Sequence, residues 1–263
     1  MTLPMPRTRF ILIETSHAGN VGGVARAMKV MGFDDLVLVR PRWDNVLRRE
    51  ETIQRASGAL DVLRNARIVQ TLDEALEGMT HLCATAMVAR DFGPPTRTPR
   101  QHLGPLAQSV PQGVAFLFGS ERFGMSNDDV YRCHVALRIP TDPAFGSLNL
   151  ASAVQVIAYE WREALGGWTG AVRQASDQPL TEKEGAYQEV VKADAPADAQ
   201  QIAGLLTHWE QSLIEIGFLD PQAPKKLMPR LQQLFNRAAL TPEEVHILRG
   251  VARQMTRHRA EKG

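Results

Sequence analysis

The sequence predicts an α/β fold with a mainly parallel sheet and helices on both of its faces. Two observations carry this reading. Six short, continuously apolar runs bounded by turn residues recur before residue 165, and helical patterns separate them. Strands of a sheet covered on both faces need unbroken apolar stretches, whereas a one-sided sheet would alternate.

The runs are FILIE (10–14), LVLVR (36–40), ARIVQ (66–70), HLCATA (81–86), VAFLFG (114–119) and HVALRI (134–139). After the first, Val24, Met28 and Met31 share one helical face that ends at Gly32, a C′ residue. Leu150, Val154, Ile157 and Trp161 repeat the spacing in a long helix that closes this half. From Gly166 to about Ala199 periodicity lapses and Gly, Pro, Asp, Glu and Ala dominate, as expected of a flexible linker.

Only helices follow. Ile202, Leu205, Leu206, Trp209, Leu213 and Ile216 form an apolar stripe stopped by Gly217. Leu227, Leu231 and Leu234 mark a second helix, with Pro229 tolerable in its first turn. In the third, Thr241 is the N-cap, Pro242 takes N1 and Glu244 completes a capping box, with Val245, Leu248, Val251 and Met255 facing inward. The domains expected are therefore 1–165, a linker 166–199, and a helical extension 200–263.

The chain has 263 residues and is 44% hydrophobic, enough for a sizeable core. Its 30 basic and 29 acidic residues nearly cancel, so any basic surface must arise by local clustering. Such clustering occurs from Pro221 onward, with nine Lys/Arg against three Asp/Glu. It reads as a solvated helix face or as a contact surface for RNA phosphates. Two cysteines make no disulfide framework, and neither a signal peptide nor an apolar run of membrane length is visible, so a cytoplasmic location is expected. Cys133 and His134 lack a zinc partner spacing, and His81 and Cys83 alternate along a strand as core residues do, so no metal is expected. His17 lies in the turn after the first strand, as a substrate contact or as nothing more.

That turn opens SHAGNVGGVARAMKVMG, beginning at Ser16. Strand, glycines and helix follow in dinucleotide-binding order, but Gly19, Gly22 and Gly23 do not give G-x-G-x-x-G. Where a nicotinamide enzyme wants an acid after the second strand, the chain has Arg40 and Arg42. No Lys-Ser or Lys-Thr makes a P-loop. The turn is better read with FGSERFGMSN and with IPTDPAFGSLNLASAVQVIAYEW. Each begins at a strand's carboxyl end, where open α/β sheets place ligands. The glycines of the first stretch are expected to tighten its turn.

Together Asn20-x-Gly22-x-x-x-Arg26, Gly119-x-Glu121-x-x-Gly124 and Ser147-Leu148-Asn149 resemble the three motifs of the SPOUT methyltransferases. The likeness is closest to the SpoU branch of RNA ribose methyltransferases, and within it to bacterial tRNA-modifying members. LMPRLQQLFNRA and EVHILRG resemble the helical extension of those members. The resemblance implies a deep trefoil knot at the end of the first domain, a departure from unknotted topology. It implies S-adenosylmethionine as cofactor and a homodimer with the active site at the subunit interface. The implied reaction is 2′-O-methylation of a tRNA ribose, the cytidine or uridine at anticodon-loop position 32.

The same resemblance assigns residues. Thr85, Ala86, Met87, Gly119, Ile139, Gly146, Ser147 and Leu148 would bind the cofactor. Arg26 corresponds to the residue the family treats as catalytic, acting on a cofactor held mainly by the partner chain. A guanidinium with a pKa above about 12 is an awkward base, so Arg26 either loses its proton in a special setting or stays cationic and stabilises the forming alkoxide. Asn20 would orient Arg26 or the ribose, and Glu121, Ser147 and Asn149 would hold the knot loops or Arg26. Arg90, Arg122, Arg230 and Arg237 are candidates for RNA phosphate, and the helical extension for tRNA binding and dimer support. Relatives carry a further basic residue where this chain has Val88. The alternatives are an rRNA 2′-O-methyltransferase of the same fold, a NADP-dependent Rossmann oxidoreductase, and a non-catalytic RNA-binding protein.

Overall fold

The structure, a computed structural model, describes residues 6–86, 90–109, 112–168 and 195–260. Strands β1 (Arg7–Ile13), β2 (Asp35–Val39), β3 (Arg67–Val69), β4 (His81–Thr85), β5 (Thr96–Arg97), β6 (Gly113–Phe118) and β7 (Val135–Leu137) form one sheet ordered β3-β2-β1-β6-β4-β7-β5. Every pairing is parallel, so all carboxyl ends open on one edge. Six strands lie on the six apolar runs. The seventh, β5, is only two residues long and has no apolar signal.

The helices are α1 (Ala18–Val30), α2 (Glu50–Ala56), α3 (Leu60–Asn65), α4 (Leu72–Leu76), α5 (Pro99–Gln108), α6 (Asn127–Tyr131), α7 (Leu150–Ala164), α8 (Ala199–Glu215), α9 (Leu227–Ala238) and α10 (Pro242–Ala260). None is long and apolar enough to cross a membrane among the described residues. Most of the stretch expected to be a linker, 169–194, lies outside the described residues.

Alternation along the strands builds a core on each face. Phe10, Leu12, Phe116 and Phe118 face α1 and α7, packed with Val24, Met28, Val154, Ile157 and Trp161. Ile11, Ile13, Ala115 and Leu117 face the other way, onto Leu72, Leu76, Met79 and Val130. Trp161 is fully buried and donates its indole N–H to Thr8 Oγ1 at 2.9 Å, so a polar tip is satisfied within apolar packing. Buried Arg9 donates to Asp35 (2.9 Å) and to the carbonyls of Ala75 (2.7 Å) and Glu77 (3.0 Å), although burial lowers its pKa.

The C-terminal helices make a third core from Ile202, Leu205, Leu206, Phe235 and Val245. Thr241 and Glu244 exchange the capping-box bonds at 3.2 and 2.8 Å, and Pro229 sits in the first turn of α9. One inward assignment needs correction. Val251 is 43% exposed, while Ala252 takes the buried position beside it; in α9 Phe235 is buried and its neighbour Leu234 is exposed. A side chain as small as Ala252 lets α8 and α10 approach closely, and apolar size alone pointed one position away. Gln233 and Asn236 of α9 donate to the carbonyls of Tyr131, Arg132 and Cys133, tying the extension to the segment that enters β7.

Three histidines gather where β4, α5 and β7 begin. His81 stacks on His102 and lies 4.7 Å from the His134 ring, while its Nε2 is 3.0 Å from His102 Nε2. His134 Nδ1 accepts the Leu82 N–H at 3.1 Å, which requires that nitrogen unprotonated. Burial, with its histidine neighbours, pushes His81 down to about 2 and His134 to about 4. The folded protein therefore refuses protons that the unfolded chain accepts. Stability is full above the ordinary histidine pKa of about 6.5 and falls as pH drops from there toward 4. Urea midpoints should fall across that window, and His134→Asn, whose Oδ1 can still accept the Leu82 N–H, should flatten the fall; an equally steep profile in the variant would refute this.

Candidate active site

The sheet brings the ends of β1, β4, β6 and β7 together at one edge. There a cavity of about 560 Å³ is lined by His17, Asn20, Thr85, Ala86, Arg90, Phe118 to Arg122, Ser147 to Leu150 and Ala153. A smaller one of about 110 Å³ adjoins it, sharing Thr85, Ala86, Leu148 and Ala153 and adding Leu137, Ile139, Thr141 and Gly146. Ten of the expected site residues thus line the first cavity besides His17: Asn20, Thr85, Ala86, Arg90, Gly119, Glu121, Arg122, Ser147, Leu148 and Asn149. Met87 lies outside the described residues, as does Val88.

Glu121 is the hub. Its carboxylate accepts from Thr15 Oγ1 (3.0 Å), the Ser16 N–H (2.8 Å), Ser16 Oγ (2.8 Å) and Asn20 Nδ2 (2.7 Å). Asn20 uses the other end of its amide too, since Oδ1 accepts from Asn149 Nδ2 at 2.9 Å. Asn149 then accepts the Ala151 N–H as the N-cap of α7. One chain of bonds links all three motifs. Desolvation opposes the charged form of Glu121, but the hydrogen bonds from Asn20 and Ser16 outweigh it and hold the carboxyl at about 2. Thr15 and Ser16, which complete the hub, were missed in the sequence; the signal available was two hydroxyl donors at a strand end just before Asn20.

The glycines act differently from the expectation. α1 already begins at Ala18, so Gly19, Gly22 and Gly23 are helical, and the turn itself is Glu14 to His17, with Glu14 at φ 52°. Gly22 is required by helix packing: a Cβ there would stand 2.1 Å from the Thr52 carbonyl oxygen of α2. Gly119 meets the backbone of its own loop, where an added Cβ would come within 2.1 Å of the Gly124 carbonyl carbon. Ser120 and Gly124 close that loop with two backbone bonds, and Arg90 clamps it from outside through Met125 O and Asn127 Oδ1, both 2.8 Å.

Arg26 stands apart. It is exposed on α1, does not line either cavity, and makes no hydrogen bond or ion pair among the described residues. It follows Asn20 by six positions, about 120° away around the helix, which places the two on different faces. Glu121 and Asn149 therefore hold Asn20 and the loops, not Arg26. Arg122 is exposed at the cavity wall, while Arg230 lies over the Phe92 ring at 5.0 Å and Arg237 lines a separate cavity next to His81.

This fold and these three loops define a class. Residues 7–159 match the SpoU rRNA methylase family, and the chain belongs to it. Residues 200–263 match the C-terminal domain of the tRNA methyltransferase TrmJ. The chain is 40% identical over 250 residues to the tRNA (cytidine/uridine/adenosine-2′-O-)-methyltransferase TrmJ of Pseudomonas aeruginosa, covering 94% of this chain and 93% of that protein. It is 42% identical over 244 residues to the tRNA (cytidine/uridine-2′-O-)-methyltransferase TrmJ of Klebsiella pneumoniae, covering 92% and 93%. The crystal structure of TrmJ from Z. mobilis ZM4 matches with a TM-score of 0.76 at 30% identity, over 96% of this chain and 99% of that one.

Replacing Glu121 by Gln keeps the size but sets an amide NH₂ against one of four donors. The expected loss is about 1–3 kcal/mol of unfolding free energy, read by chemical denaturation. A displaced Asn20 should also lower methyl transfer about tenfold to a hundredfold; wild-type stability and transfer would disprove the hub.

Proposed function

We propose that the chain is an S-adenosylmethionine-dependent tRNA 2′-O-methyltransferase, acting on the cytidine or uridine at anticodon-loop position 32. The observation that carries this is the bond chain from Glu121 through Asn20 to Asn149, which joins the three motifs around one cavity. The match of residues 200–263 to the TrmJ C-terminal domain favours tRNA over rRNA. Under this reading residues 1–165 form the methyltransferase domain, 166–199 the linker and 200–263 an extension that supports tRNA binding. The implied knot is supported by the strand order, in which β7, last in sequence, inserts between β4 and β5.

The adjoining cavities suit the cofactor. Thr85, Ala86, Ile139, Gly146 and Leu148 give an apolar wall of small residues and turned backbone, fit for a flat base read by main-chain groups. Gly119 and Ser147 stand at the boundary toward the RNA side, and Met87 belongs to the same set. When bound, the cofactor supplies an electrophilic methyl group on a sulfonium.

The residues do the rest. Glu121, held at about 2 by its donors, is a poor proton acceptor near neutral pH and serves as an anchor. Asn20 and Asn149 fix the loops so that a ribose is held in line for transfer. Arg26, kept cationic, stabilises the hydroxyl oxygen as its proton passes to solvent water and negative charge develops, and can bind phosphate at the same time. Its position outside its own cavity supports a homodimer in which the arginine of one protomer serves the cavity of its partner. Phe123 and Phe145, 86% and 82% exposed on the loops beside the cavity, support the same arrangement, since such apolar side chains call for cover.

Incubation with labelled S-adenosylmethionine and unmodified total tRNA should place the methyl group on the ribose at position 32. Transfer to rRNA fragments alone would overturn the substrate, and failure to bind the cofactor would overturn the reaction. Arg26→Ala should lower turnover about 10²–10³-fold with cofactor affinity retained. Arg26→Lys keeps the charge but loses the planar fork, and its near-full activity would remove the guanidinium from the mechanism.

A further inference from the structure

The loop after β2 carries a feature that neither the motifs nor the proposed chemistry uses. In RPRWDNVLRRE (40–50), Arg42 and Arg49 both place their guanidinium carbons over the Trp43 ring, 4.7 and 4.5 Å from its centroid. Trp43 is itself packed against the main core, so both cations rest on a fixed support. Among the described residues neither guanidinium has an ion pair or a side-chain hydrogen bond. Asp44, Glu50 and Glu51 lie in the same stretch, yet none pairs with them. Arg40, two residues away, behaves in the ordinary manner: it pairs with Glu14 at 3.1 Å and donates to Gln70 O.

The loop is also fastened to the candidate site. The Arg42 N–H donates to Thr15 O at 3.0 Å, and Thr15 donates to the Glu121 carboxylate. Thr52 Oγ1 donates to Ala18 O at 3.0 Å and Val46 O at 2.7 Å, joining the far end of the loop to the start of α1. Two like charges sharing one aromatic ring repel each other when no carboxylate lies between them. Stacking removes rotamer freedom that flexible surface arginines would lose on binding. The arrangement is pre-ordered for an anion with more than one charge, next to the strand end that presents Asn20.

From this geometry we infer that Arg42 and Arg49, supported by Trp43, form a binding site for RNA backbone phosphates flanking the target ribose. The inference rests on the RNA reading above and adds the residues that position the strand. These are positioning residues, since they touch the substrate away from the reacting atoms. Each phosphate contact releases counterions, so its loss lowers the salt dependence of binding in a countable way.

The test measures tRNA affinity by fluorescence anisotropy across a salt series, using the full chain and unmodified tRNA. Arg42→Gln with Arg49→Gln keeps part of each stem on Trp43 while removing both charges. The slope of log affinity against log salt should shrink by roughly 1.4–1.8, and affinity at physiological salt should fall at least about tenfold, with S-adenosylmethionine affinity by calorimetry unchanged. Trp43→Leu should weaken binding yet keep the slope, because the charges remain and only their ordering is lost. An unchanged slope in the double variant overturns the phosphate site alone. Absence of tRNA binding by the wild-type chain overturns the tRNA reading and this site with it.

Discussion

Everything at the carboxyl edge of the sheet depends on one carboxylate and the four donors around it. Glu121 receives hydrogen bonds from the β1 turn and from α1, and Asn20 passes the connection on to Asn149 at the head of α7. A carboxylate with four donors has no lone pair left to favour a different arrangement. The amide of Asn20 is engaged at both ends, so its orientation is set by chemistry and not only by packing. A site built this way is ordered before any substrate arrives, which is what placement of a weakly reactive hydroxyl requires.

Backbone contact does for the loops what the carboxylate does for the side chains. The Gly119 and Gly124 backbones touch too closely for any Cβ at Gly119, and α1 meets α2 through Gly22 with no room for a side chain. Insertion of β7 between β4 and β5 sets the closing segment beside the β4 end, so Thr85, Ile139 and Leu148 share one wall. Arg162 stabilises the opposite end of α1. It donates to Met31 O and Gly32 O and lies over Phe33 and Trp168, placing a cation at the helix C-terminus.

The parallel sheet was legible because burial on both faces demands unbroken apolar runs, and six strands announced themselves in that way. β5 was not, because two residues carry no pattern. Apolar stripes located the C-terminal helices but misjudged Val251, where the small Ala252 decides the face. The three motifs named residues that meet at the cavity, with Gly22 and Arg26 lying outside it, but they did not reveal who holds whom. Thr15 and Ser16 act through hydroxyls and one backbone N–H, groups that are too common in sequence to stand out. The glycines of the first motif were read as a turn because glycine has two uses, conformational freedom and close approach, and sequence does not separate them.

The same limit governs the charges, and it explains how a nearly neutral chain can address a polyanion. With 30 basic residues against 29 acidic ones, counting predicts no attraction. Pairing discriminates where counting fails. Arg9, Arg40, Arg100 and Arg132 are held by carboxylates, Arg90 clamps the Gly119–Gly124 loop, and Arg162 caps a helix. The four held by carboxylates are compensated in pairs and contribute little field at the cavity mouth, while Arg90 and Arg162 commit their hydrogen bonds to the fold. Arg26, Arg42, Arg49 and Arg122 make no ion pair among the described residues, and three of the four lie on, or are tied to, the segments that carry Asn20 and Glu121. An exposed arginine without a carboxylate keeps its full charge for a ligand, and one stacked on a ring keeps its direction as well. The RNA surface proposed above therefore rests on where the unpaired arginines lie and how they are held, not on how many there are.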